Sequence, residues 1–253
     1  MSFLDWISGK NNPSIPKSEY LYGTRHIIVL LTVLALVVVL SIILKNKSDK
    51  TKNIFFKVCV SIFLAFEILS RVFNLIFTDD YSLEHIVKII LPLHFCSVMV
   101  WIIIIALLTN NKPFINYAVI GGLLATTAYL LFPAVGLNKT FLSFDALYSI
   151  CSHSLGWVVC ILLITTGYAK FDFKKIWQPY AITVAIIGYA ALFNFVIFPG
   201  SDYMYMRENP LSFNSAIPYQ IIFLAVIAIY ILMFYLISFG VKKCKKTNKK
   251  SNP

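Results

Sequence analysis

Glu67, Arg71 and Asn74 stand at i, i+4 and i+7 in an otherwise apolar stretch. That spacing puts a carboxylate, a guanidinium and an amide on one face of a helix, where the first two can pair. His94, His153 and Asn194 interrupt three further apolar stretches, and Cys96 lies two residues after His94. Histidine titrates near neutral pH and acts as a general acid or base. A carboxylate orients it, and arginine holds a phosphate or a carboxylate. The set therefore suits acyl transfer or hydrolysis on a lipid, with His94, His153, Glu67 and Cys96 as candidate catalytic groups. Arg71, Asn74, Asn194, Asp202 and Tyr203 are the candidate substrate-binding groups.

Each residue has a plainer reading. Glu67 and Arg71 also make sense as a structural ion pair, and a lone membrane histidine is often only hydrogen-bonded or packed. The two-residue spacing turns Cys96 away from His94 on an ideal helix, which favours a packing role; Cys151 stands in the same relation to His153. His94, His153 and Glu67 supply three metal-type ligands, but no HExxH or paired-histidine spacing accompanies them, and no metal is expected. No cofactor is expected either.

The stretches that must position these groups are membrane spans. The chain has 253 residues, 59% hydrophobic and 13% charged, against about 25% charged in a soluble domain. A span needs about 20 apolar residues. Seven stretches qualify: 27–44, 56–78, 86–109, 114–133, 146–168, 178–198 and 217–240. The expected fold is all-α, a polytopic membrane helical bundle of seven transmembrane helices. Residues 1–26 precede it, 27–240 form the transmembrane domain, and 241–253 form a basic tail. No cleavable signal peptide is expected, since residues 1–26 lack an apolar core. Pro92 cannot donate to the carbonyl of Lys88, so the third span should be kinked or opened just before His94.

Lysine and arginine set the direction. Lys45, Lys47, Lys50, Lys52, Lys57, Lys112, Lys170, Lys174 and Lys175 share one side with the tail lysines 242, 243, 245, 246, 249 and 250. The other side has only Lys10, Lys17, Arg25, Lys88, Lys139 and Arg207, together with Asp79, Asp80, Glu84, Asp145, Asp202 and Glu208. The expectation is N-out and C-in, in the plasma membrane. The tail then meets the anionic inner leaflet, so the net charge of +11 is not a nucleic-acid signal. Counting 1.5 Å per residue, Arg71, Glu67, His94, His153 and Asn194 lie roughly 12–18 Å below the outer boundary. They form one polar slab, and the inner halves of the spans hold no comparable group. A transporter or lipid-binding protein using the same cluster is the alternative, favoured less because a pathway should continue through the membrane. A structural protein held together by these residues is the third reading.

The loop Pro199-Gly200-Ser201-Asp202-Tyr203-Met204 adds a turn and an aromatic cluster suited to capping a cavity or to an ordinary aromatic belt. Leu91-Pro92-Leu93-His94-Phe95-Cys96, the His153 helix, and Asn194 with Gly200-Ser201-Asp202-Tyr203-Met204 resemble the bacterial YwaF/TP0381 family of integral membrane proteins. That family is related to the eukaryotic transmembrane protein 164 group, and the likeness runs from the second span to the seventh. It implies a phospholipid acyltransferase or transacylase acting on membrane phospholipids. The relative has a cysteine directly before the histidine where this chain has Leu93, so the acyl-cysteine step does not carry over. Either Cys96 substitutes, or His94 works through water or a lipid hydroxyl, or the chemistry differs. The loop motif also usually reads Asn-Tyr-Met, against Asp202-Tyr203-Met204 here.

Overall fold

The computed structural model describes residues 15–133, 137, 143–208 and 218–250, with residues 17, 18 and 240–250 described by their backbone alone. Residues 1–14 of the N-terminal segment, Lys139, residues 209–217 of the long connection, and the side chains of the basic tail lie outside the described set. Among the described residues there are helices and turns and no strand.

The helices are α1 Thr24–Lys45, α2 Asp49–Phe77, α3 Leu83–Ile90, α4 Phe95–Thr109, α5 Lys112–Leu131, α6 Phe144–Thr165, α7 Trp177–Leu192 and α8 Tyr219–Lys250. Six stretches are long and apolar enough to cross a membrane, and α3 with α4 supplies a seventh, bent by 43°. Several boundaries follow from local chemistry. The Ser48 hydroxyl accepts from the Thr51 N–H, and the Ser82 hydroxyl from the His85 N–H; serine favours this N-cap position. Asn110 takes the left-handed conformation that ends α4, and Asn111 at once caps α5. Two residues thus turn the chain between antiparallel spans.

Contacts divide the chain into two compact units, one up to Ala169 and the other from Lys170. In the first unit α5 is the most enclosed helix, flanked by α4 and α6. Small residues make that approach close. A Cβ on Gly122 would stand 2.7 Å from the Cys160 Sγ, and one on Gly156 would stand 2.9 Å from the Thr126 Cγ2. Cys160 is thereby a packing residue, its thiol donating to the Ala118 carbonyl. α1 is largely exposed along its length, as a lipid-facing helix is, but it is pinned at one end. The buried His26 accepts the Tyr22 N–H at Nδ1, so its other nitrogen, Nε2, donates to the Leu130 carbonyl at 2.6 Å. That carbonyl is one of those α5 leaves without an internal donor.

In the second unit α7 runs on into a π-helical turn, Phe193–Ile197, and a short loop before α8. The Tyr180 hydroxyl donates to the Ala228 carbonyl, and Phe171 packs against Phe234 and Tyr235.

Candidate functional site

The third span is opened rather than merely bent. Pro92 has no N–H for the Lys88 carbonyl, α3 ends at Ile90, and α4 restarts with His94 as its extended N-cap residue. In an unbroken helix the His94 N–H would go to the Ile90 carbonyl. Here Arg71 Nε donates to that carbonyl at 2.8 Å. A side chain from α2 therefore fills the gap that the proline opens.

The same guanidinium is held on its other side by Glu67. Arg71 Nη1 meets the Glu67 Oε2 at 2.6 Å and the Glu67 backbone carbonyl at 2.9 Å. The arginine also lies 5.4 Å over the Trp101 ring, a cation–π geometry. Glu67 is 1% exposed, and its second oxygen accepts from the Tyr148 hydroxyl on α6 at 2.6 Å. Two donors therefore satisfy the buried carboxylate, which a low-dielectric setting requires. The i, i+4 pair was legible in the sequence. Tyr148 and the Ile90 carbonyl were not, because both come from other helices.

Beside this network lies a cavity of about 610 Å³, formed where α2 ends, α3 lies and α6 begins. Its polar lining includes Arg71, Asn74, His85, Lys88, His94 and Ser97, and its apolar wall includes Phe73, Phe77, Ile89 and Leu91. Phe73 stacks on Phe144 at 4.2 Å, which closes one side. Asn74 spends its amide donor on Ser70 of its own helix. At the rim, Asp80 accepts the Ser82 N–H at 2.8 Å and faces His85 at 3.7 Å. The Ser82 N–H holds the Asp80 carboxyl below the usual carboxylate range, with a smaller contribution from His85. The volume and mixed lining suit a lipid headgroup with the first part of its chains.

His153 and Cys96 are not among the residues that line this cavity. The His153 ring stacks flat on Tyr129, 3.7 Å between centroids, and its Nδ1 bonds the Ser149 carbonyl at 2.7 Å. A carbonyl only accepts, so Nδ1 carries the proton. Cys96 and Cys151 lie within electrostatic reach of the Tyr129 hydroxyl. The structure thus gathers Arg71, Asn74 and His94 around one space, with Glu67 behind Arg71, and assigns His153 to a neighbouring aromatic cluster.

Asn194, Asp202 and Tyr203 belong to the second unit. The Phe198 N–H bonds the Phe193 carbonyl, five residues back. The Asn194 carbonyl would next be served by residue 199, but that is a proline. Arg207 Nη2 supplies the donor instead, at 2.6 Å, with its guanidinium 4.8 Å over Phe195. The Asn194 side chain accepts the Tyr203 N–H and donates to the Tyr203 carbonyl, at 2.8 and 2.9 Å. Asp202 accepts the N–H groups of Arg207 and Glu208. Their polar atoms hold the loop together, and that loop carries Met204 and Tyr205 with φ of 61° and 53°.

Sequence reasoning missed Lys88, His85, Ser97 and Tyr148 as neighbours of His94, and it missed His26. Lys88 and His85 share a helical face, three residues apart before Pro92, and that spacing was the available signal. Among the described residues no His, Cys, Asp and Glu cluster has metal-binding form. The model for the family described as TMEM164 family matches residues 21–238. No curated protein and no solved structure matches the chain.

Proposed function

Because the chain belongs to the TMEM164 family, we propose that it is a membrane-embedded phospholipid acyltransferase or transacylase of the plasma membrane, working in the cavity beside Arg71. The observation that carries this reading is the cavity's composition. One space of about 610 Å³ joins two basic side chains, Arg71 and Lys88, the imidazoles of His85 and His94 and a single carboxylate, Asp145, to an aromatic and aliphatic wall. A glycerophospholipid has that division: an anionic phosphate, an ester, and hydrocarbon.

In this reading Lys88 and His85 meet the phosphate, Phe73, Phe77 and Ile89 take the start of the chains, and His94 lies near the ester as general base. Arg71 is mainly a positioning residue. Three of its contacts are spent on Glu67 and the Ile90 carbonyl, so it fixes the break from which His94 projects. Glu67 acts through Arg71 and Tyr148. The bias of Lys and Arg toward the loops after α1 and α6 and toward the tail supports an N-out, C-in orientation, with the cavity in the outer leaflet and the basic tail on the anionic inner one. The pattern Leu91–Cys96 supports a place in the bacterial YwaF/TP0381 branch.

The test is acyl redistribution by purified protein in nanodiscs with an isotope-labelled phospholipid and a lysophospholipid acceptor. Wild type should move label to the acceptor. His94→Ala should lower the rate by about 10²-fold or more, the usual worth of a general base. Equal products from wild type, His94→Ala and empty nanodiscs would sink the reading.

A further inference from the structure

We infer that Ser97 is the nucleophile that carries the acyl group, with His94 as its base; this rests on the acyl-transfer reading above. Both side chains line the cavity. His94 is the N-cap residue of α4 and Ser97 is the third residue of that helix. N-cap and N3 lie on the same turn, the two positions that a capping box links through side-chain-to-backbone bonds.

The serine hydroxyl also stands at a helix start whose preceding turn is broken. Serine and threonine inside helices can donate to the carbonyl four residues back, although the Ser152 and Ser154 hydroxyls of α6 do not. Ser61, Thr109, Thr126, Thr166 and Ser238 all do so here. For Ser97 that carbonyl belongs to Leu93, in the break, and no such bond joins them. Pro92 thus has a second effect: it leaves the hydroxyl of the first turn of α4 without its customary internal acceptor. The rival nucleophiles are placed worse. Cys96 does not line the cavity, Leu93 has no reactive atom, and the Tyr148 hydroxyl is engaged by Glu67.

The step balances without any further reagent. The His94 imidazole takes the Ser97 Oγ proton as Oγ attacks the ester carbonyl carbon of a phospholipid. The tetrahedral oxyanion forms near the start of α4, whose first N–H groups receive no side-chain cap from His94 and point toward developing negative charge as helix N-terminal donors do. The C–O bond to glycerol breaks, and the imidazolium returns its proton to the departing lysophospholipid alkoxide. An acyl-serine ester remains. A hydroxyl of a second lipid then attacks it by the same steps in reverse, with His94 again as base.

The experiment uses full-length protein in nanodiscs with acyl-labelled phospholipid, quenched in acid, digested and read by mass spectrometry. Wild type should carry the label on Ser97 as an ester stable to neutral hydroxylamine. Ser97→Ala should lose the adduct and lower transfer by about 10³-fold or more, as removal of a nucleophile does. Ser97→Cys should move the label onto a hydroxylamine-labile thioester, and this near-isosteric variant controls for misfolding. Undiminished transfer by Ser97→Ala, or an acyl group found on Cys96, would overturn the assignment while leaving the acyl-transfer reading intact. Wild type that forms neither acyl-enzyme nor transferred product would overturn both.

Discussion

Two helix defects in this protein are repaired in the same way and put to different use. In the first unit Pro92 opens a span, and Arg71 donates to the stranded Ile90 carbonyl. In the second, Pro199 follows the π-turn Phe193–Ile197 and strands the Asn194 carbonyl, and Arg207 donates to it. Both repairs follow from one constraint: a backbone carbonyl in hydrocarbon needs a donor, and proline has none to give. Arginine suits the task because its planar fork reaches one carbonyl while other N–H groups stay available. The surroundings then differ. Asn194 turns its side chain onto Tyr203, and Asp202 closes over the N–H groups of Arg207 and Glu208, so that polar set is spent internally. The break at Pro92 borders a cavity, and His94, Ser97 and Lys88 line it. The same defect therefore builds a loop in one place and a site in the other.

Three measurements bear on that contrast. The largest effect is expected at Glu67. Glu67→Ala leaves the Arg71 cation half-buried without its partner, and loss of one member of a buried pair costs about 3–5 kcal/mol. Thermal unfolding in detergent should show it, and Glu67→Leu with Arg71→Met should recover much of the loss. If the single and double variants were equally unstable, the ion pair would not be what matters at the break. Asn194→Ala comes next. It removes both bonds to Tyr203, about 1–3 kcal/mol of unsatisfied backbone groups. Limited proteolysis should find the 199–208 loop cut faster, while labelled-lipid binding by the Pro92 cavity should change far less than stability. Comparable losses at both would break the distinction between a loop lock and a binding site.

The smallest stability effect is expected for Lys88→Ala. Lys88 makes no hydrogen bond or ion pair among the described residues, and substitutions at such positions usually fall within about 0.5 kcal/mol. Its effect should appear in lipid instead, as weaker protection by an anionic phospholipid than by an uncharged diacylglycerol. Unchanged protection would remove Lys88 from the phosphate.

The fold was largely legible in the sequence. The apolar stretches match the helices to within a few residues, apart from α2, which starts earlier, and α8, which runs on past the uninterrupted hydrophobicity. α2 begins at Asp49 because Ser48 caps it and Asp49 sits in its first turn, where an acid is favoured. His26 escaped notice because it stands one residue ahead of the first apolar run, where hydropathy assigns it to the connection. The candidate site was legible in part. Glu67, Arg71 and the opening at Pro92 follow from spacing and from proline, both local. His153 shares a depth with His94, but depth says nothing about which way a helix is rotated. The stacking on Tyr129 records that rotation.

The sequence by itself determined which segments enter the membrane, where one of them breaks and which two charges neutralise each other on α2. Those outcomes depend on transfer free energy and on contacts within one or two turns of the same helix. Only the tertiary structure decided that Tyr148 completes the Glu67 network, that Arg71 serves the Ile90 carbonyl, and that His94 keeps company with Ser97 and Lys88 rather than with His153. Those outcomes depend on the mutual rotation and approach of α2, α3, α4 and α6. Side-chain volume sets how closely helices approach, as where Gly156 of α6 faces Phe63 of α2 and Ile103 of α4, and no periodicity in a single helix records it.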